Sequence, residues 1–326
     1  MGPIEIPIPD RAEDGDLDDK LRHPQGDSLV LNAAVSDTMT RQAACHECGE
    51  TFPESQTQCP HCGRPSLFPN VTAAAAADER DALLDRYRQT CKHLQDRGCD
   101  TVRQDLELKV LDNAKAVLAT NFNEVLRIAQ ADTEVFSTFY KRVRAGLVIP
   151  TGGKWDVLRG VAEHANFPFY KEHIRFAALS LDESGVKNYG ECAVVLKTSM
   201  VSHRTSLFED NNVVFTVYGQ QATMADAESL EKGHRAVWAD REKLVVAKLA
   251  AKLLPTLTPD TYPGIVLEQG KTTEHDRFIE VHIWGSLTIR AVESVTISRR
   301  GNRPVKALIK DLDKLCNKHG VPVRWN

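Results

Sequence analysis

Phe278-Ile279-Glu280-Val281-His282-Ile283-Trp284-Gly285 is the stretch on which the reading of this chain turns. Ile279, Val281 and Ile283 alternate with Glu280 and His282, the period-two pattern of a strand with one apolar face. The other face sets a carboxylate beside an imidazole. That is a place for chemistry and equally an ordinary amphipathic strand, so the rest of the chain has to decide between the two.

Downstream of Tyr170 the periodicity is that of strands. His173–Leu179, Gly190–Lys197, Asn212–Tyr218, Gly264–Glu268 and Val292–Ser298 are predicted as strands. A helix over Ala225–Leu254, stopped by Pro255, and another over Val305–Lys318 interrupt them. Strands and helices that alternate irregularly predict an α+β domain and not a βαβ repeat. Upstream, apolar residues at helical spacing predict helices over 73–98 (Leu83, Leu84, Tyr87, Cys91, Leu94), 100–119 (Val102, Leu106, Val110, Val117), 123–128, 133–145 and 155–165. The expected organisation is an acidic disordered tail at 1–43, a zinc ribbon at 44–68, a helical region at 73–166 and an α+β domain at 167–326.

The chain has 326 residues, 42% of them hydrophobic and 26% charged, which fits two or three globular units. No apolar run approaches the length of a membrane span, and the N-terminus lacks a basic start followed by an apolar core. A cytoplasmic protein without a membrane partner is expected. The net charge of -4 is uneven: residues 1–40 hold nine acids against three bases, so the tail is -6 and the remainder +2. A near-neutral body argues against avid duplex binding. The acids, prolines and scarce aromatics of the tail cannot bury enough apolar area to offset chain entropy.

Two Cys-x-x-Cys pairs, Cys45/Cys48 and Cys59/Cys62, are separated by ten residues. Each turn offers two thiolates to one tetrahedral ion, and the span suffices for a hairpin that joins the pairs. Structural Zn2+ on Cys45, Cys48, Cys59 and Cys62 is expected, with His46 and His61 as bystanders. Pro150-Thr151-Gly152-Gly153-Lys154 lacks the full phosphate-loop pattern and reads as a turn.

Three polar clusters fall on or beside the strands: His173 with Arg175, His203-Arg204-Thr205-Ser206 with Glu209-Asp210-Asn211-Asn212, and Glu280 with His282. Tyr189 to Lys197 followed by Val201 to Asn211 resembles the middle strand and Arg-Thr/Ser turn of ADP-ribosyltransferase domains in bacterial and phage-associated toxins. Glu280 to Thr288 is similar to the late strand of that group, where Glu-x-Gln or Glu-x-His precedes a glycine. The resemblance spans roughly residues 170–326.

What the resemblance implies is an NAD-dependent transferase of the glycosyltransferase class, acting as a toxin or anti-phage defence effector on a nucleic-acid or protein acceptor, with an antitoxin or partner protein as a further candidate ligand. Glu280 would stabilise the ribose oxocarbenium ion that develops as the nicotinamide bond breaks. Because nicotinamide leaves as a neutral molecule, one carboxylate can suffice. Arg175 or His173 would hold the dinucleotide, Ser206 with Thr205 would brace the strand and the nicotinamide ribose, Arg204 would be a further cofactor-binding residue, and Tyr189 would stack on nicotinamide. The family pattern often places a second glutamate where this chain has His282, which would then deprotonate or position the acceptor, or only hydrogen-bond Glu280. The competing readings are a zinc-ribbon nucleic-acid-binding protein and a non-catalytic scaffold.

Overall fold

The computed structural model describes residues 42–44, 48–53, 59–63, 68–146, 149, 154–168, 170–219, 230–298 and 306–325. Apart from Gln42 and Ala43, the expected tail lies outside them. Residues 41–326 form one compact unit.

Among the described residues eight strands make the central sheet, in the order Val323–Trp325, Val292–Ile297, Cys192–Leu196, Lys115–Thr120, Ile174–Ser180, Glu280–Trp284, Thr205–Phe208, Arg235–Val237. The pairing of Val323–Trp325 with Val292–Ile297 is parallel and the rest antiparallel, so the sheet is mixed and the chain α+β. Glu280–Trp284 lies inside the sheet, paired on both edges. Val281 stands opposite Ala177 and Leu207, while Glu280 stands opposite Ala178 and Phe208. Directly opposed residues share a face. Val281, Ile283, Ala177, Leu207 and Ala236 therefore form the apolar face, which belongs to one core with Leu83 and Leu94 of helix Ala77–Asp96, Leu106 and Val110 of Asp100–Asn113, and Leu244 and Val245 of Arg241–Leu249. Full burial of each such side chain contributes about 1.5–3 kcal/mol. That face is committed to stability, which leaves the Glu280 face to the site.

Several sequence expectations are corrected. The helix expected over 100–119 stops at Asn113, and Lys115–Thr120 is a strand hydrogen-bonded on both sides. Its continuous apolar run reads equally as helix or buried strand, and only the neighbouring edges decide. Consequently the boundary expected between a helical region ending at 166 and a domain starting at 167 divides elements of one sheet. Over 73–98 the backbone breaks at Ala76 into Pro69–Ala75 and Ala77–Asp96, and within 133–145 only Phe139–Arg144 is helical, capped by Thr138. Within Ala225–Leu254 the described residues hold the edge strand Arg235–Val237 and a shorter helix, Arg241–Leu249. Gly264–Val266 are helical, and Leu267–Glu268 pairs with Arg277–Phe278 in a separate ribbon.

Asn212–Tyr218 was expected as a strand. Instead Asn211 Oδ1 accepts the backbone N–H groups of Val213 and Val214, at 3.0 and 3.3 Å, and starts a helical turn that continues as a π-helix over Val214–Gly219. The capping side chain overrides the β-branched run that follows it. Among the described residues no helix is long and apolar enough to cross a membrane.

Candidate functional site

Glu280 is 5% exposed and His282 3% exposed, on the sheet face opposite the main core. His282 Nε2 lies 2.9 Å from Glu280 Oε2, and the Asn212 backbone N–H donates to the same oxygen at 3.1 Å. The capped turn at Asn211 is what brings that N–H over the strand. Among the described residues Oε1 of Glu280 makes no hydrogen bond, and Glu280 lines a cavity of about 400 Å³. A volume of that order suits a small-molecule site. The imidazole is boxed by Phe167, Phe176 and Phe208, with ring centroids 4.6, 5.5 and 6.2 Å away, and does not line the cavity.

Glu163 of helix Lys154–Asn166 lines the same cavity. That helix is tied down at its end: Asn166 Nδ2 donates to Thr216 Oγ1 at 2.8 Å, and Asn166 Oδ1 accepts from Arg235 at 2.8 Å. Glu163 is 4% exposed. Burial, opposed by a hydrogen bond from Tyr140 and the charge of Arg159 and reinforced by Glu280, pushes its carboxyl up to about 7. The guanidinium of Arg159 comes only to 3.9 Å. Two carboxyls thus share one cavity, the raised one poised to carry a proton near neutrality.

Arg175 lines the same cavity and is 3% exposed. Its Nε donates to Phe136 O at 3.1 Å and its Nη1 to His173 O at 3.4 Å. Burial lowers its pKa to about 10, with Arg204 adding to the effect. Among the described residues, three residues that line the cavity each carry one buried polar atom without a hydrogen-bond partner, Arg175 Nη2, Asn212 Nδ2 and Glu163 Oε2, although the register sets the Arg175 side chain beside Ile283, on the face opposite Glu280. Leaving such an atom unmatched costs about 1–3 kcal/mol. Asn212 and Glu163 bring such atoms to residues of one cavity, as a site for a polar ligand would. Arg142, Arg159 and Lys171 add cations to the lining, and Glu124 is already matched by Arg127 at 2.7 Å.

The sequence-predicted residues separate into two groups. Glu280, Arg175 and Tyr189 meet at the cavity, and the Tyr189 hydroxyl accepts from Asn211 Nδ2 at 3.0 Å. Gly190 places that tyrosine, because a Cβ there would sit 2.3 Å from Thr120 O. His173, Arg204, Thr205 and Ser206 do not line the cavity. His173 is exposed and stacks on Trp284 at 5.2 Å. Arg204 donates to the carbonyls of Trp284 and Ser286, at 2.7 and 3.0 Å, and Thr205 Oγ1 to Val201 O at 2.7 Å. Ser206 Oγ accepts from Asn70 Nδ2 at 3.2 Å, which also donates to His282 O at 2.8 Å. These residues staple the strand that carries Glu280. Glu163, Tyr140, Arg159 and Lys171 were not singled out as site residues, because an acid or base on an amphipathic helix ordinarily faces water.

The cysteine cluster is separate. Gln42–Ala44 and Thr51–Pro53 form a hairpin, and the sulfurs of Cys48, Cys59 and Cys62 lie within 4.8 Å of one another. Cys48 Sγ and Cys59 Sγ are 3.7 Å apart. Two thiolates about 2.3 Å from one tetrahedral zinc stand about 3.8 Å apart, so the pair fits that geometry. Gly49 and Gly63, which follow the two Cys-x-x-Cys pairs, take φ of 73° and 68°, a turn that favours glycine. These three thiols could hold a metal ion, and Cys45 lies outside the described residues. No protein-family model, no curated protein and no solved structure matches the chain.

Proposed function

We propose that the cavity over Glu280 binds NAD, breaks its nicotinamide–ribose bond and passes ADP-ribose to a macromolecular acceptor, nucleic acid or protein. The observation that carries this reading is a buried carboxylate, held by Asn212 and His282 through one oxygen, in a cavity that Asn212 also lines, its Nδ2 unmatched among the described residues. Fixed negative charge beside an anomeric carbon favours the oxocarbenium-like transition state over the neutral ground state. The cations Arg142, Arg159, Lys171 and Arg175 suit the pyrophosphate of the dinucleotide. In this account the cysteine cluster is a structural zinc ribbon that docks the acceptor or a partner protein, and the chain is a cytoplasmic toxin or anti-phage effector of ADP-ribosyltransferase type.

The acceptor is found by incubating the protein with NAD labelled in its adenine half and separate protein, DNA and RNA pools. Label retained by one pool supports transfer and names the acceptor class. Absence of both label transfer and nicotinamide release overturns the enzyme reading in favour of a zinc-ribbon binding protein or scaffold.

A further inference from the structure

The transfer reaction needs a group to take the acceptor's proton, and the sequence alone offers His282 for it. The structure places that imidazole behind Glu280, enclosed by three phenylalanines and outside the cavity lining. Resting on the NAD reading of the cavity, we propose that Glu163 is the base that receives the proton of the attacking nucleophile.

Glu163 meets the geometric requirements. It lines the cavity with Glu280, its helix is fixed by Asn166, and its Oε2 is buried with no hydrogen-bond partner among the described residues. The groups that face it are the Tyr140 hydroxyl from helix Phe139–Arg144, Arg159 from its own helix, Lys171 from the turn before Ile174, and Glu280 from the sheet. Tyr140 hydrogen-bonds the carboxyl, and Oε2 is left without a partner among the described residues. Burial and the Glu280 charge hold it near neutrality, where a base both exists in its ionised form and retains proton affinity.

The step balances without a co-reactant. The C1′–N bond breaks with its electron pair moving to the pyridine nitrogen, which becomes neutral. A lone pair of an acceptor hydroxyl, amine or water forms the new bond to C1′, and the displaced proton passes to the Glu163 carboxylate. Glu280 keeps its charge throughout and faces the ribose cation, so the two carboxyls divide the work of stabilisation and proton removal.

The test is chemical rescue. Azide is an anion with no proton to lose, so it needs Glu280 and not Glu163. Glu163→Gln is expected to lower nicotinamide release to water or acceptor by about 10²–10⁴-fold, the usual worth of a positioned base. Sodium azide is then expected to restore release to within about tenfold of wild type, with ADP-ribosyl azide as product, while Glu280→Gln is not restored. The wild-type rate is expected to rise through pH 7, and the rescued rate of Glu163→Gln to lack that limb; the wild-type profile serves alone should the variant fail to fold. A Glu163→Gln enzyme of unchanged rate, one that binds NAD but ignores azide, or a wild-type rate flat through pH 7 overturns the assignment. A wild-type protein that leaves NAD intact instead overturns the NAD reading beneath it.

Discussion

The Glu280 carboxylate and the His282 imidazole, two residues apart on one strand, are joined through Oε2 and Nε2 at 2.9 Å while only Glu280 borders the cavity. Of two side chains on the same face, one therefore borders the cavity and the other holds the first in place. His282→Gln keeps a donor and is expected to reduce turnover about tenfold, and His282→Ala about a hundredfold, with KM for NAD little changed, because small misplacements of a reacting group cost rate and not binding. Steady-state kinetics of the two variants check this. A large rise in KM with unchanged kcat would move His282 into ligand binding.

Asn212, which lines the cavity, contributes a backbone N–H to Glu280 and a side-chain amide whose Nδ2 is unmatched among the described residues. Asn212→Ala retains the first and loses the second. NAD binding, measured calorimetrically on the otherwise intact protein, is expected to weaken by about 1 kcal/mol, roughly fivefold in affinity, with thermal stability unchanged. An equal affinity would remove the side chain from the site.

Glu79 accepts three consecutive backbone N–H groups on one oxygen, from Gly233, His234 and Arg235 at 2.9, 3.1 and 3.1 Å. It pins the entry to the edge strand beside Thr205–Phe208. Glu79→Ala leaves buried donors unmatched and is expected to cost about 3 kcal/mol in a denaturant titration, Glu79→Gln about half that. Because Glu79 does not line the cavity, activity per folded molecule is expected to be retained.

Glu163 links stability to pH. Its folded-state pKa of about 7 lies above the ordinary 4.5, so the folded chain binds the extra proton and the unfolded chain does not. This contribution is complete below pH 4.5 and is lost as pH rises to about 7, a loss of up to about 3 kcal/mol. Glu163→Gln removes that falling slope. Parallel denaturation series for wild type and Glu163→Gln across this window show it as a gap that widens toward neutrality.

Purified protein is expected to carry zinc, and Cys59→Ala to lose it, since Cys59 is the buried member of the cluster and stands 3.7 Å from Cys48 Sγ. Elemental analysis decides. The central sheet forms a core of its own, so nicotinamide release is expected to survive while acceptor modification falls.

The sequence exposed the parts of the fold where one face is apolar and the next residue is not. Alternation about Val281 and Ile283, and the apolar runs at Ile174, Cys192 and Val292, are found where they were expected. Lys115–Thr120 escaped because a short apolar run bordered by helices has no period of its own, and its role depends on strands more than fifty residues away. The site was half legible. Glu280 could be found because it interrupts an apolar pattern; Glu163 could not, because an acid on an amphipathic helix ordinarily faces water. Arg204, Thr205 and Ser206 shared a short motif, yet their polar atoms are occupied by carbonyls of neighbouring segments and by Asn70.

The most direct measurement is nicotinamide release from NAD by wild-type protein and by Glu280→Gln, with folding of both verified by thermal melts. The account predicts release by wild type and a loss of at least about a hundredfold in the variant, the worth of one fixed transition-state charge. Wild-type protein that neither binds nor consumes NAD, or a Glu280→Gln protein as active as wild type, would contradict it.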